Sequence, residues 1–347
     1  MSAPLLSNGL PPELKAAHAG VIMDFADANV LITGGAGFIG ANLARRLVNE
    51  GADVTIIDSL IPEYGGNLAN LEGIRDKIHL NVADVRDPHA MRQLVQGRDF
   101  LFNLAGQTSH MDSMSDPFTD LDINAKAQLS ILEACRAQNP AVKIVFAGTR
   151  QIYGRPDYLP VDEAHPIRPV DINGIHKVAG EWYHTLYTTV YGVQSTVLRL
   201  TNTYGPCMRI KDARQTFVGV WVRLALEGKP FEVWGGQQLR DFTYVDDCVD
   251  AILLAAAHPR ANGRVYNLGG DSVVSLRELA DLLTDLHPDV SYILREFPAE
   301  RKKIDIGDYY SNDARIREEL GWQTKTSLRD GLVKTLAYFK PRLNQYL

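Results

Sequence analysis

Three absences narrow the 347-residue chain before any motif is considered. It has only three cysteines, Cys135, Cys207 and Cys248, far apart and odd in number. They form no zinc-ligand or thioredoxin spacing. Neither a metal site nor a disulfide framework is expected, and buried free thiols in a reducing cytoplasm are. Basic residues are not in excess: 36 Lys and Arg against 42 Asp and Glu leave a net charge of −6, with no long basic run. Nucleic acid or an anionic membrane is therefore a poor partner. No apolar stretch reaches the roughly 18 residues of a membrane span. The opening "MSAPLLSNGLPPELKAAHAG" lacks the basic start and continuous apolar centre of a secretory signal. With 45% hydrophobic and 22% charged residues, the chain has an ordinary globular composition. Its length suffices for a large core without staples, and suggests about two domains.

Residues 1–27 read as an added arm, with one short helix in "PPELKAAHAG" after two prolines. After the arm, apolar runs alternate with helical patterns. The runs are "NVLITG", "DVTIID", "KIHLNVAD", "DFLFNLAG", "KIVFAGT" and "STVLRLT"; the helices include "IGANLARRLVNEG" and "INAKAQLSILEACRAQ". Short, nearly continuous apolar strands between helices indicate a parallel sheet covered on both faces, a doubly wound α/β layout. From about residue 205 the rhythm becomes irregular and a smaller lobe is expected.

"VLITGGAGFIGANLARRL" is a strand, a glycine turn and a helix. Gly34, Gly37 and Gly40 have the spacing that lets backbone approach a pyrophosphate. Phe38 and Ile39 open the helix whose N-terminus supplies amide donors. Asp58 ends the next strand, where a carboxylate holds adenosine ribose hydroxyls and repels a 2′-phosphate. NAD is therefore expected over NADP. "VADVRD" places Asp84 and Val85 at the following strand end, suited to an adenine edge. The Rossmann-type NAD-binding domain is expected over 28–205 plus about 241–268. The substrate-binding lobe takes about 206–240 and 269–347.

Further segments follow in order: "FNLAGQTSHMDSMSDP", "DINAKAQLSILEA", "FAGTRQIYG", "LRLTNTYGP", "RDFTYVDDCVDAILLA", "VYNLGG" and "ELGWQTKTSLRDGL". With them the chain, over about residues 28–340, resembles the extended short-chain dehydrogenase/reductase family of nucleotide-sugar epimerases and dehydratases. The resemblance implies that Leu104, Ala105 and Gly106 run along the cofactor and that Asn124 steadies the central sheet. It gives Thr149 the catalytic Ser/Thr role and Lys177 the nicotinamide ribose. It puts Asn202 and Arg240 at the diphosphate of a nucleotide sugar, an anion that suits an Arg fork. It also implies a homodimer, built by pairing helices around 118–137 and 172–191 into a four-helix bundle.

The chain departs from the family pattern at its chemical centre. The family's acid/base tyrosine lies four residues before the lysine, sharing its helix face; here that residue is Asn173. An amide is no base at neutral pH, and losing a general base typically costs about 10²–10⁴ in rate. A substitute is expected from His110, beside Asp112 in the loop after the fourth strand, or from His176, about 60° around the helix from Asn173. Asn173 itself is left a positioning role. The acidic pair that follows the Ser/Thr in dehydratases is replaced by Arg150 and Gln151. Asp305 stands where the common R-x-G-D stretch has arginine, with Arg301 and Lys303 nearby as substitutes. The leading expectation is an NAD-dependent nucleotide-sugar epimerase that transiently oxidises a ring hydroxyl to a ketone. A dehydratase with rearranged acid/base groups, and a redox-silent NAD-binding module, stay open beside it.

Overall fold

In the computed structural model, which describes residues 25–298 and 302–347, the arm helix expected in "PPELKAAHAG" lies outside the described residues. The first apolar run forms β1 (Asn29–Thr33), and the glycine turn leads into α1 (Phe38–Asn49). Next come β2 (Asp53–Asp58), β3 (Ile78–Val82), α2 (Pro88–Leu94) and β4 (Phe100–Asn103). Two short helices follow, α3 (His110–Ser115) and α4 (Pro117–Leu121). A π turn, Asp122–Lys126, then enters α5 (Ala127–Gln138). β5 (Lys143–Thr149) leads to α6 (Ile172–Tyr191), β6 (Ser195–Leu200) and β7 (Asn202–Tyr204). The rest of the chain contributes α7 (Phe217–Leu226), β8 (Phe231–Trp234), β9 (Leu239–Tyr244) and α8 (Val245–Ala257). It ends with β10 (Val265–Leu268), β11 (Val273–Ser275), α9 (Leu276–Leu286), β12 (Tyr292–Arg295), α10 (Ala314–Leu320) and α11 (Leu328–Phe339).

All six apolar runs are strands of one parallel sheet, joined at its edge by β10, in the order β10-β6-β5-β4-β1-β2-β3. This is the doubly wound α/β fold. The runs are continuous rather than alternating because both faces are covered. Val30, Ile32, Val54, Ile56, Phe102 and Val145 enter one core, while Leu31, Ile57, Leu101 and Ile144 from the same strands enter the other. β1 lies between β2 and β4, so the chain departs in opposite directions on its two sides. That switch opens a crevice beyond the carboxyl ends of the strands.

β7, β9 and β11 form a small separate sheet, and β8 pairs with β12. β9 therefore lies outside the main sheet, although it immediately precedes α8. Helix ends follow local chemistry. Asp171 caps α6 by accepting the Gly174 N–H at 2.7 Å, and Gly192 closes that helix at φ 74°. Cys135, Cys207 and Cys248 are buried free thiols. Among the described residues, no helix is long and apolar enough to cross a membrane.

Candidate active site

The crevice is a cavity of about 850 Å³ that runs from the glycine turn to Trp234 and Asp305. Its cofactor end is shaped by backbone. Gly34 has φ +69°, and a Cβ there would sit 3.0 Å from the Ala105 backbone; one on Gly40 would sit 2.3 Å from the Gly34 carbonyl. Only glycine leaves this turn open. Thr33 Oγ1 accepts the N–H groups of Leu104 and Ala105, both at 3.0 Å, which ties the end of β1 to the segment after β4.

Asp58 is buried at the end of β2. Its Oδ2 accepts the Ala36 N–H at 2.9 Å and its Oδ1 the Leu60 N–H at 2.8 Å. Burial pushes this carboxyl above its ordinary range, and the two amides oppose the shift. Each oxygen keeps a lone pair for a hydroxyl donor. Asp84 is held in a fork by Arg86, at 3.0 and 2.7 Å, which lowers its carboxyl. Val85 packs beside it, buried.

Lys177 projects from α6 to the middle of the cavity. A Cβ on Gly106 would meet its Nζ at 2.8 Å and Asn124 Oδ1 at 3.0 Å, so a side chain there would displace the ammonium. Nζ donates one long hydrogen bond, to the Ala147 carbonyl at 3.4 Å, and lies 5.4 Å from the Phe146 ring centroid. Burial pushes the ammonium down to about 8, opposed by the charge of Asp120.

Asp120, which the motifs do not mark, is the centre of a buried network. Its Oδ2 accepts from Asn124 Nδ2 and Asn173 Nδ2, each at 3.0 Å, and its Oδ1 lies 2.7 Å from His176 Nδ1. Both asparagine amides also donate to the Gln107 carbonyl at 2.9 Å. Asn173 is thus a double donor that fastens α6 to the loop after β4. His176, one of the two histidines expected to replace the tyrosine, is absent from the cavity wall, because Asp120 holds its ring elsewhere.

His110, at the start of α3, does line the cavity. Its Nδ1 lies 2.9 Å from Asp171 Oδ2, within ion-pair range though off the line of a hydrogen bond. Burial raises the Asp171 carboxyl, but His110, the Gly174 amide and Gln151 together outweigh it and hold it below its ordinary range. Gln151 Nε2 donates to Asp171 at 3.0 Å, and the Gln151 N–H donates to Thr149 Oγ1 at 3.2 Å. Thr149 and His110 are therefore linked through Gln151 and Asp171. Asp112 instead pairs with Arg214 at 2.9 Å. Tyr153, four residues after Thr149, is fully buried and donates to Asn267 Oδ1 at 2.6 Å, which makes it a core residue.

At the far end, Asn202 Nδ2 donates to the Asp241 carbonyl at 2.9 Å, and Asn202 Oδ1 accepts from Arg150 Nη2 at 3.0 Å. Arg240 Nη1 donates to the backbone carbonyls of Leu239 and Gly307, and Nη2 lies 3.8 Å from Asp305. Burial lowers the Arg240 guanidinium to about 10, assisted by the charge of Arg150. Asp120, Asp171 and Arg150 were not marked as site residues by sequence. Arg150 entered there only as a departure from the pattern.

A model described as the NAD dependent epimerase/dehydratase family matches residues 30–269. The chain belongs to that family. It is 31% identical over 316 residues to a putative UDP-glucose 4-epimerase of Methanocaldococcus jannaschii, covering 90% of this chain and 98% of that one. It is 30% identical over 319 residues to a dTDP-glucose 4,6-dehydratase of Streptomyces griseus, covering 90% and 94%. The solved UDP-glucose 4-epimerase of Thermotoga maritima, with UDP-glucose, aligns at a TM-score of 0.83 and 29% identity over 91% of this chain and 99% of that one. As a member of this family the chain is an enzyme with NAD as cofactor. The glycine turn, Asp58 and the buried ammonium of Lys177 fit that group.

Proposed function

We propose that the chain is a nucleotide-sugar epimerase in which His110 does the work of the missing tyrosine. The observation that carries the reading is that Thr149, Lys177 and His110 share one cavity, with the glycine turn at one end and Asn202 and Arg240 at the other. Bound NAD supplies a reversible hydride acceptor, so that a ring hydroxyl is oxidised to a ketone and reduced again from the other face. Gly34, Gly37, Phe38, Ile39, Asp58 and Lys177 hold it, with the segment Leu104–Gly106 along its length and Asp84 and Val85 at its adenine end. Thr149 orients the reacting hydroxyl. The Asp171 carboxylate faces His110 Nδ1 at 2.9 Å, which leaves Nε2 to take the hydroxyl proton and return it. Asn202 and Arg240 anchor the diphosphate.

The relatives' names direct the first trials to UDP-glucose and dTDP-glucose. Epimerisation gives a product of unchanged mass and a new ring configuration by NMR. A product lighter by one water would establish the dehydratase instead, a reading that Arg150 and Gln151 in place of acidic groups already weigh against.

The same reading makes the enzyme a homodimer. Ile175, Trp182, Leu186 and Val190 are exposed on α6 within an arc of about 80°, opposite the site, and Phe118 of α4 is exposed nearby in sequence to α5. An apolar stripe of this kind marks a packing face. Trp182→Glu is expected to yield a monomer by light scattering. A variant that stays dimeric would place the interface elsewhere.

A further inference from the structure

The substrate end of the cavity has a charge deficit where the sequence pattern put an arginine. Asp305 occupies that position and lines the cavity. Of the substitutes suggested by sequence, Lys303 is exposed and does not contribute to the wall; Arg301 lies outside the described residues. Arg240 is present, but its Nη1 is committed to two backbone carbonyls and its Nη2 faces Asp305.

Arg150 differs from both. It follows Thr149 directly, lines the same cavity, and lies with its guanidinium 4.9 Å from the Tyr309 ring centroid. Its Nη2 is bonded to Asn202, the residue assigned to the diphosphate, while Nη1 is out of contact with solvent and has no hydrogen-bond partner among the described residues. A buried guanidinium donor left unpaired is costly and calls for an anion. The carboxylates around it are partly engaged, and Asp241 Oδ1 is likewise buried without a hydrogen-bond partner among the described residues. Asp241 Oδ2 accepts the Ser311 N–H at 2.9 Å, and Asp305 Oδ2 accepts the Gly307 N–H at 3.2 Å. Neither forms an ion pair with Arg150.

We infer that Arg150 is the second diphosphate-binding arginine of this enzyme, relocated from the 305 loop to the end of β5, and that its Nη1 takes a charged oxygen of the substrate's diphosphate. The inference rests on the nucleotide-sugar reading above and adds a specificity residue to it. Seating the cation beside Thr149 also ties the diphosphate anchor directly to the segment that orients the reacting hydroxyl.

The test is calorimetric binding of UDP, dTDP, UDP-glucose and UDP-glucuronate to the NAD-loaded enzyme, with Arg150→Gln and Arg150→Lys beside it. Loss of one charge-assisted bond to phosphate is expected to weaken the nucleoside diphosphate and its sugars alike, by about 10–100-fold in Arg150→Gln. Arg150→Lys should recover part of this, as a point charge without the fork. NAD affinity serves as the control for folding. UDP or dTDP binding that is unchanged in Arg150→Gln would overturn the inference. So would a loss confined to UDP-glucuronate, which would assign Arg150 to an acidic group on the sugar. If the parent enzyme itself binds none of the four, the nucleotide-sugar reading falls and this inference with it.

Discussion

Replacing His110 with alanine is expected to lower kcat by about 10²–10⁴-fold, the usual cost of removing a general base, while NAD affinity stays close to that of the parent. Position singles this residue out. Asn173 occupies the tyrosine's place but spends its amide on Asp120 and Gln107. His176 is turned to Asp120 and away from the cavity. His110 alone among the three pairs an imidazole in the wall with a carboxylate, Asp171, that has no side-chain exposure. That carboxylate serves two masters, since it also caps α6. Asp171→Asn keeps an acceptor for the Gly174 N–H and removes the charge facing the ring. It should therefore retain the fold yet lose an intermediate part of the rate. Single-turnover reduction of bound NAD separates the steps: it should slow in both variants, with substrate affinity little changed. A kcat untouched by His110→Ala would remove His110 from the reaction.

The fold was largely legible because its signal is local. β1, β2 and β5 are continuous apolar runs that only a two-faced sheet can bury, and the glycine turn announces its own backbone. The small sheets were less visible. β7 and β11 have three residues each, too few for a period, and β9 pairs with strands far from it in sequence. The helix read over 123–138 begins with a π turn, which no hydropathy period reveals; that wider turn carries Asn124 into the Asp120 network. The site divides in the same way. Gly34, Asp58 and Lys177 line the cavity where the motif places them. Asp120 and Asp171 act on partners more than fifty residues away, His176 and His110, so spacing along the chain says nothing of them. Arg150 was visible only as a departure from pattern. The role inferred for it depends on Asn202, brought beside it because β5 and β6 are neighbours in the sheet.

The network around Asp120 gives the largest expected effect on stability. In Asn173→Asp, a donor 3.0 Å from Asp120 Oδ2 becomes a second carboxylate in a site where Asp120 is fully buried. Two hydrogen bonds are lost, to Asp120 and to the Gln107 carbonyl, and a like charge is added, at a cost on the order of 3–5 kcal/mol at pH 7. The sign of the pH dependence follows from the same contact. Two carboxylates this close raise the pKa of the pair above the unfolded value of about 3.9. Between that value and the raised one, the folded variant binds more protons than the unfolded chain, so its stability falls as pH rises. The deficit relative to the parent should be greatest at pH 7 and above, and should shrink towards pH 5, where one carboxyl protonates and again donates to its neighbour. Urea denaturation of both proteins at pH 5 and pH 8 reads this directly. Equal deficits at the two pH values would mean that the introduced carboxylate has turned away from Asp120, and that the buried network is not what holds α6 to the loop after β4.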